Sequence, residues 1–153
     1  MISDQEFLYG AAFSRLFNYG DRVIVTHLSD VHPSIYLVET DNSKSAILLK
    51  VSKKPKSAWS FILSNQEQLA IETLVVKYLY VKIFLSLICH KDGICCVPKD
   101  RLWAILDPNE CAEGQHISVS RKTHGSYHVS GSDRKQMELS IPQNDWPYII
   151  LQN

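Results

Sequence analysis

The chain has 153 residues, 45% of them hydrophobic and 21% charged, which suits a folded domain with an ordinary core and excludes a disordered or low-complexity chain. Its 16 basic and 16 acidic side chains cancel, so no global field draws in nucleic acid or an anionic membrane, and such a partner requires a local patch.

Ser3 and Glu6 have the spacing of a capping box, and Phe7, Leu8, Ala11, Ala12, Phe13, Leu16 and Phe17 follow at helical spacing. The spacing predicts a helix over about 4–18, stopped near Gly20 and apolar on so much of its circumference that it should be well covered. RVIVTHL (22–28) and SIYLVET (34–40) read as strands, separated by a loop with Pro33. SAILLKVS (45–52) and AWSFILS (58–64) follow, and the turn KKPK between them predicts a hairpin. Ser64 and Glu67 repeat the capping-box spacing ahead of a second helix, in which Leu69, Ala70, Thr73, Val76 and Lys77 trace a face.

VKIFLSLIC (81–89) is almost continuously apolar, as a strand buried on both sides of a sheet would be, and Asp92-Gly93 turns it back into ICCV. KDRLWAIL (99–106) reads as a short helix ending at Asp107-Pro108. HISVSRK and SYHVSGS form a second hairpin, and Pro142 and Pro147 limit the C-terminal stretch to a turn or two of helix and an edge contact. One domain is expected over 1–153, with a core over about 1–107 and a β-rich extension over about 108–153.

The longest apolar stretch, 76–89, is interrupted by Lys77 and Lys82 and falls short of a bilayer span. The opening MISDQEFLYG places Asp4 and Glu6 where a secretion signal needs basic and then apolar residues. A cytoplasmic protein without a membrane partner is therefore expected, with Cys89, Cys95, Cys96 and Cys111 as reduced, buried thiols. CHKDGICC offers zinc ligands in number, but the C-x-x-C pairs of a structural site are missing, and adjacent strand residues face opposite ways.

Two features suggest chemistry. Lys50 ends an otherwise apolar strand, where a lysine commonly runs its stem along the sheet rim and holds its ammonium in water. Lys53, Lys54 and Lys56 precede Trp59, a combination able to grip phosphates and stack on a base, and Arg121 with Lys122 makes a second basic spot. A solvated turn and a core tryptophan account for the same residues.

Helix, three strands, a further strand, helix, strand: this order resembles the αβββαβ core of the restriction-endonuclease-like nucleases, whose signature reads D…(D/E)-x-K, over about residues 4–106. EFLYG (6–10) is similar to the helix motif E-x-x-G of one branch, with the glycine one place late, and ILLKVS resembles the strand that ends in the signature lysine. The resemblance implies an α/β fold with a central mixed sheet flanked by helices and a C-terminal hairpin extension. It also implies Lys50 and Glu6 as catalytic positions and Mg²⁺ as cofactor of an active member. Leu48 stands two places before Lys50 where an acid is expected, and Ser34 stands in place of the first aspartate.

An incomplete metal site is therefore expected, with no cofactor unless residual nuclease activity survives. The expected role is a non-catalytic subunit for nucleic-acid binding or assembly, contacting DNA or RNA through Lys53, Lys54, Lys56, Trp59, Arg121 and Lys122. The alternatives are a protein–protein module and a weakly active metal-dependent nuclease. For the module, a homo-oligomer would pair through the edge formed by Trp146, Tyr148, Ile149, Ile150 and Leu151.

Overall fold

A computed structural model describes residues 1–19, 22–107, 114–131 and 135–152; Gly20, Pro108 and Cys111 lie outside the described residues. The two long helices, α1 (Asp4–Phe17) and α2 (Asn65–Lys77), begin alike. The Ser3 and Ser64 hydroxyls accept the backbone N–H of Glu6 and Glu67, and each glutamate accepts the serine N–H in return. Two orphan donors are thereby satisfied at each helix start.

β1 (Ile24–His27), β2 (Ile35–Glu39) and β3 (Lys44–Ser52) form an antiparallel meander. The chain then returns through α2 to place β5 (Lys82–Cys89) parallel to β3, with Lys50 beside Leu87, and Asp92-Gly93 turns it into antiparallel β6 (Gly93–Pro98). The result is a mixed five-stranded sheet in the order β1-β2-β3-β5-β6. Its central strands are apolar on both faces, as both sides are covered. Along β3, Ala46 and Leu48 enter one core, whereas Ile47 and Leu49 enter the other.

The second of these cores is closed by α1 and by α4 (Tyr148–Leu151). The first lies beneath α2, α3 (Lys99–Ile105) and a three-stranded antiparallel sheet of β4 (Trp59–Leu63), β7 (Gln115–Ser120) and β8 (His128–Ser130). Trp59, Phe61 and Leu63 alternate inward along β4 and lie opposite Val119, Ile117 and Gln115 of β7. The protein is thus α/β, with a mixed sheet, a small antiparallel sheet and flanking helices.

Four expectations need correction. The strands on either side of KKPK do not form a hairpin: β3 already has β2 on one edge and β5 on the other, so β4 pairs with β7 instead. The second sheet consequently draws strands from both sides of residue 107. On α2 the traced face is the outer one; apart from Ala70 its residues are exposed, and Ala70, Ile71 and Leu74 fill the core. α1 is buried along Leu8, Ala12 and Leu16 and partly covered at Tyr9 and Phe13, leaving Phe7 and Phe17 in solvent.

Of the C-terminal residues expected at an edge, Tyr148 is exposed and Ile149 and Leu151 are partly buried, whereas the other two belong to the chain's own core. Trp146 and Ile150 are buried, and the Trp146 indole N–H donates to the Ala12 carbonyl at 3.2 Å. The buried Ser45 hydroxyl donates to the Ile150 carbonyl at 2.8 Å. This segment closes the chain's own second core because α1 alone is too narrow to cover that face of the sheet. Among the described residues no helix is long and apolar enough to cross a membrane.

Candidate functional site

Lys50 sits at the end of β3 on the side facing α2, because strand alternation gives it the orientation of Leu48. Its ammonium donates to both carboxylate oxygens of Glu67, at 2.8 and 2.7 Å. The two side chains retain only 18% and 9% exposure, so this pair is largely withdrawn from water. Glu67 Oε1 also accepts the Ser64 N–H at 2.9 Å. One carboxylate therefore caps α2 and fixes the lysine. Sequence reading assigned Glu67 to the cap alone; the added signal was an acid in the first turn of a helix that crosses back over the strand ending in Lys50.

From the opposite face, Tyr9 of α1 extends its hydroxyl to 3.1 Å from Ser34 Oγ and 3.1 Å from the Leu49 carbonyl. Burial raises the Tyr9 pKa, offset by the Ser34 hydrogen bond and reinforced by Tyr36 and the Glu67 charge. The Tyr9–Ser34 pair on one face and the Lys50–Glu67 pair on the other thus flank the same end of central strand β3, and the Glu67 charge is felt at Tyr9. Glu6 serves elsewhere: exposed, it closes the α1 capping box by accepting the Ser3 N–H at 3.2 Å. From α1 it is the Tyr9 hydroxyl that donates to a β3 carbonyl, that of Leu49.

The donors around Lys50 do not fit a two-acid Mg²⁺ site. They supply one carboxylate, with both oxygens already bonded to an ammonium, and Leu48 is fully buried in the core. The other acids considered have different partners or positions: Asp30 accepts from Lys77 at 2.7 Å, and Glu39 faces Lys44 at 3.6 Å. Asp41 is exposed in the β2–β3 turn. Among the described residues, no three His, Cys, Asp or Glu side chains gather in a metal-binding group.

The basic residues separate into free and committed ones. Lys53 is exposed, with Asp4 at 3.9 Å, and Lys56 and Lys122 are exposed. Lys54 Nζ donates to the Ala58 carbonyl at 2.8 Å. Trp59 is 1% exposed, donates its indole N–H to the Lys54 carbonyl at 2.8 Å and meets Tyr127 edge-on at 6.1 Å. Its ring faces are core, so the expected stacking on a base is corrected.

Arg121 is likewise committed. Its guanidinium makes a two-pronged pair with Asp92, Nε donating to Oδ2 at 2.8 Å and Nη2 to Oδ1 at 2.6 Å. The Tyr127 hydroxyl donates to Asp92 Oδ2 at 2.8 Å, and the Gln143 amide to the Asp92 carbonyl at 2.7 Å. The Arg121 bonds hold the Asp92 carboxyl below the usual range despite its partial burial, and Tyr127 lowers it further. This network bolts the β5–β6 turn to the second sheet.

Pairing of β4 with β7 also brings the two basic spots together. Trp59 lies opposite Val119, so the chain entering β4 runs beside the chain leaving β7, and the Arg121 N–H donates to Ser57 Oγ at 3.0 Å. The end of the segment carrying Lys54 and Lys56 therefore lies alongside Arg121 and the neighbouring Lys122, whereas Lys53 faces Asp4 at the start of α1. Three cysteines, Cys89, Cys95 and Cys96, are buried and free. Burial pushes the Cys96 thiol up to about 12 and raises those of Cys89 and Cys95 as well, which leaves them protonated fillers rather than nucleophiles.

Comparison of the chain with protein-family models, with curated proteins and with solved structures finds no match in any of the three.

Proposed function

We propose that the chain is a restriction-endonuclease-like domain lacking a complete metal site, which works as a non-catalytic subunit that binds nucleic acid. Support for the fold comes from the helix-first order, the antiparallel meander and the parallel return of β5 beside β3. The observation that carries the non-catalytic part is the Lys50–Glu67 pair. The amine standing at the signature position is neutralised by a carboxylate that also caps a helix, so neither group is free for a phosphate or a hydrated metal.

Binding falls to the joined basic segments. Lys56 before β4 and Lys122 after β7 would neutralise phosphates at one edge of the small sheet, with Lys53 extending the contact toward α1, independent of base identity. A cytoplasmic setting fits the three buried, free thiols.

Fluorescence anisotropy with single- and double-stranded DNA and RNA oligonucleotides tests the reading. Affinity should fall steeply with salt, and replacing Lys53, Lys56 and Lys122 by glutamate should weaken it about tenfold or more with a shallower salt slope. Absence of salt-dependent binding overturns the nucleic-acid part. With Mg²⁺ or Mn²⁺ added, the oligonucleotides should stay intact; cutting that vanishes in Lys50→Ala overturns the non-catalytic part.

A further inference from the structure

Beyond Lys53, a groove runs between α1 and the β5–β6 turn. It consists of two clefts of about 340 and 190 Å³, which share Leu8, His90 and Lys91 as walls. On the helix side Asp4, Leu8, Ala11 and Arg15 follow one another at three-to-four spacing, so one stripe of α1 lines the groove from end to end. The His90 N–H donates to the Ser52 carbonyl at 3.1 Å, which sets the turn beside the end of β3 where Lys53 follows.

Cations thus reach the groove from three elements. Arg15, Lys53 and Lys91 are all exposed, and the His90 imidazole is common to both clefts. Among the described lining residues one carboxylate, Asp4, stands against them. It lies 3.9 Å from Lys53 with both side chains mostly in water, a weak pairing that a phosphate displaces at little cost. In a chain whose charges cancel overall, this is a local excess of positive charge. The turn that carries His90 and Lys91 is also fixed, by residues that do not line the groove. Arg121 and Tyr127 hold the Asp92 side chain, Gln143 holds its carbonyl, and its N–H donates to Cys89 at 3.0 Å. His90 is kept at a left-handed φ of 51°. Groups presented this way lose little freedom on binding.

Phe7 lines the larger cleft and is 66% exposed. A bare aromatic ring beside fixed cations discriminates among polyanions: an unpaired strand brings a base that stacks on it, a duplex keeps its base faces covered, and an acidic peptide brings carboxylates alone.

We propose that this groove binds single-stranded nucleic acid, with Arg15, Lys53 and Lys91 on its phosphates and an unpaired base on Phe7. The inference rests on the nucleic-acid reading above and adds to it the strandedness of the ligand and a second length of its path, from Lys53 past the β5–β6 turn to Arg15. Arg121, which clamps this turn, directly precedes Lys122, so the two lengths meet at one end of the molecule.

Anisotropy of the full chain is measured with a labelled DNA or RNA oligonucleotide about twelve nucleotides long, unpaired or annealed to its complement. The unpaired strand should bind about tenfold tighter. Phe7→Ala should remove that preference, whereas Phe7→Trp should keep it and show quenched indole fluorescence on binding. Arg15→Ala combined with Lys91→Ala should weaken binding of the unpaired strand about tenfold and lower the salt slope by about 0.7 per lost phosphate contact. All three side chains are exposed, so circular dichroism and melting temperature should match wild type. Equal affinity for the two forms, or wild-type binding by Phe7→Ala or by the Arg15 and Lys91 double variant, overturns the groove assignment; the nucleic-acid reading still stands if glutamate at Lys53, Lys56 and Lys122 weakens binding. Polyglutamate that displaces the oligonucleotide as well, charge for charge, as unlabelled strand does would assign the groove to an acidic polypeptide and overturn the proposal too. Absence of salt-dependent binding to either form overturns both.

Discussion

Three short bonds converge on the Glu67 carboxylate: two from the Lys50 ammonium and one from the Ser64 N–H. Removing the lysine leaves a mostly buried carboxylate with half its partners, which is costlier than the net worth of the pair itself. Lys50→Met should therefore destabilise the fold by about 2–3 kcal/mol in denaturant unfolding. Glu67→Gln, which preserves the cap acceptor, should cost less, and the double variant should show a coupling of about 1 kcal/mol or more. Additivity of the two changes would mean that the pair contributes nothing as a pair. The polar end of β3 was readable in the sequence. Its partner was not, because Glu67 lies 17 residues further on and its capping spacing explained it completely.

Between elements, the Asp92 network joins a turn of the mixed sheet to the strand exit of the small one. The Asp92 carboxyl is held below its ordinary range mainly by Arg121. A group with a depressed folded pKa contributes stability that is present above the unfolded carboxylate value near ~3.9 and is lost as pH falls through the lower folded value. Wild type should accordingly lose more stability than Asp92→Asn on acidification through that window, and Arg121→Ala should cost about 2 kcal/mol near neutrality. Parallel acid profiles for wild type and Asp92→Asn, measured by urea unfolding, would contradict this account.

The turn itself was legible as Asp92-Gly93, but Asp92's long-range partner Arg121 was read as a free cation. Helices and strands carry their signals in neighbouring residues; clamps and sheet partners do not. The same division explains α2: its capping signal located the helix, whereas apolar residues on two faces led the reading to the outer one. It explains β4 as well, a strand recognised correctly but assigned to β3, whose two edges were already occupied.

At the scale of the molecule, the mixed sheet separates two cores. One is closed by α1 and the C-terminal turn, the other by α2, α3 and the small sheet. The αβββαβ order made the larger sheet foreseeable, since sequential strands tend to neighbour one another and the parallel return demands a helix. The small sheet follows no such local rule, being assembled from segments more than fifty residues apart, with Trp59 opposite Val119.

That arrangement makes the protein a natural candidate for division into two fragments. A piece ending at Asp107 keeps the mixed sheet but leaves Trp59, Phe61 and Leu63 of β4 uncovered and the strand's backbone groups open to the nearest sticky chain. Alone it should precipitate. Expressed together with a second piece beginning at Gly114, it should become soluble and co-elute as a reconstituted whole, whereas Ile117→Asp in the second piece should prevent the rescue. Should the first piece prove soluble and monomeric by itself, the small sheet would be an ornament on the larger fold and not one of its walls.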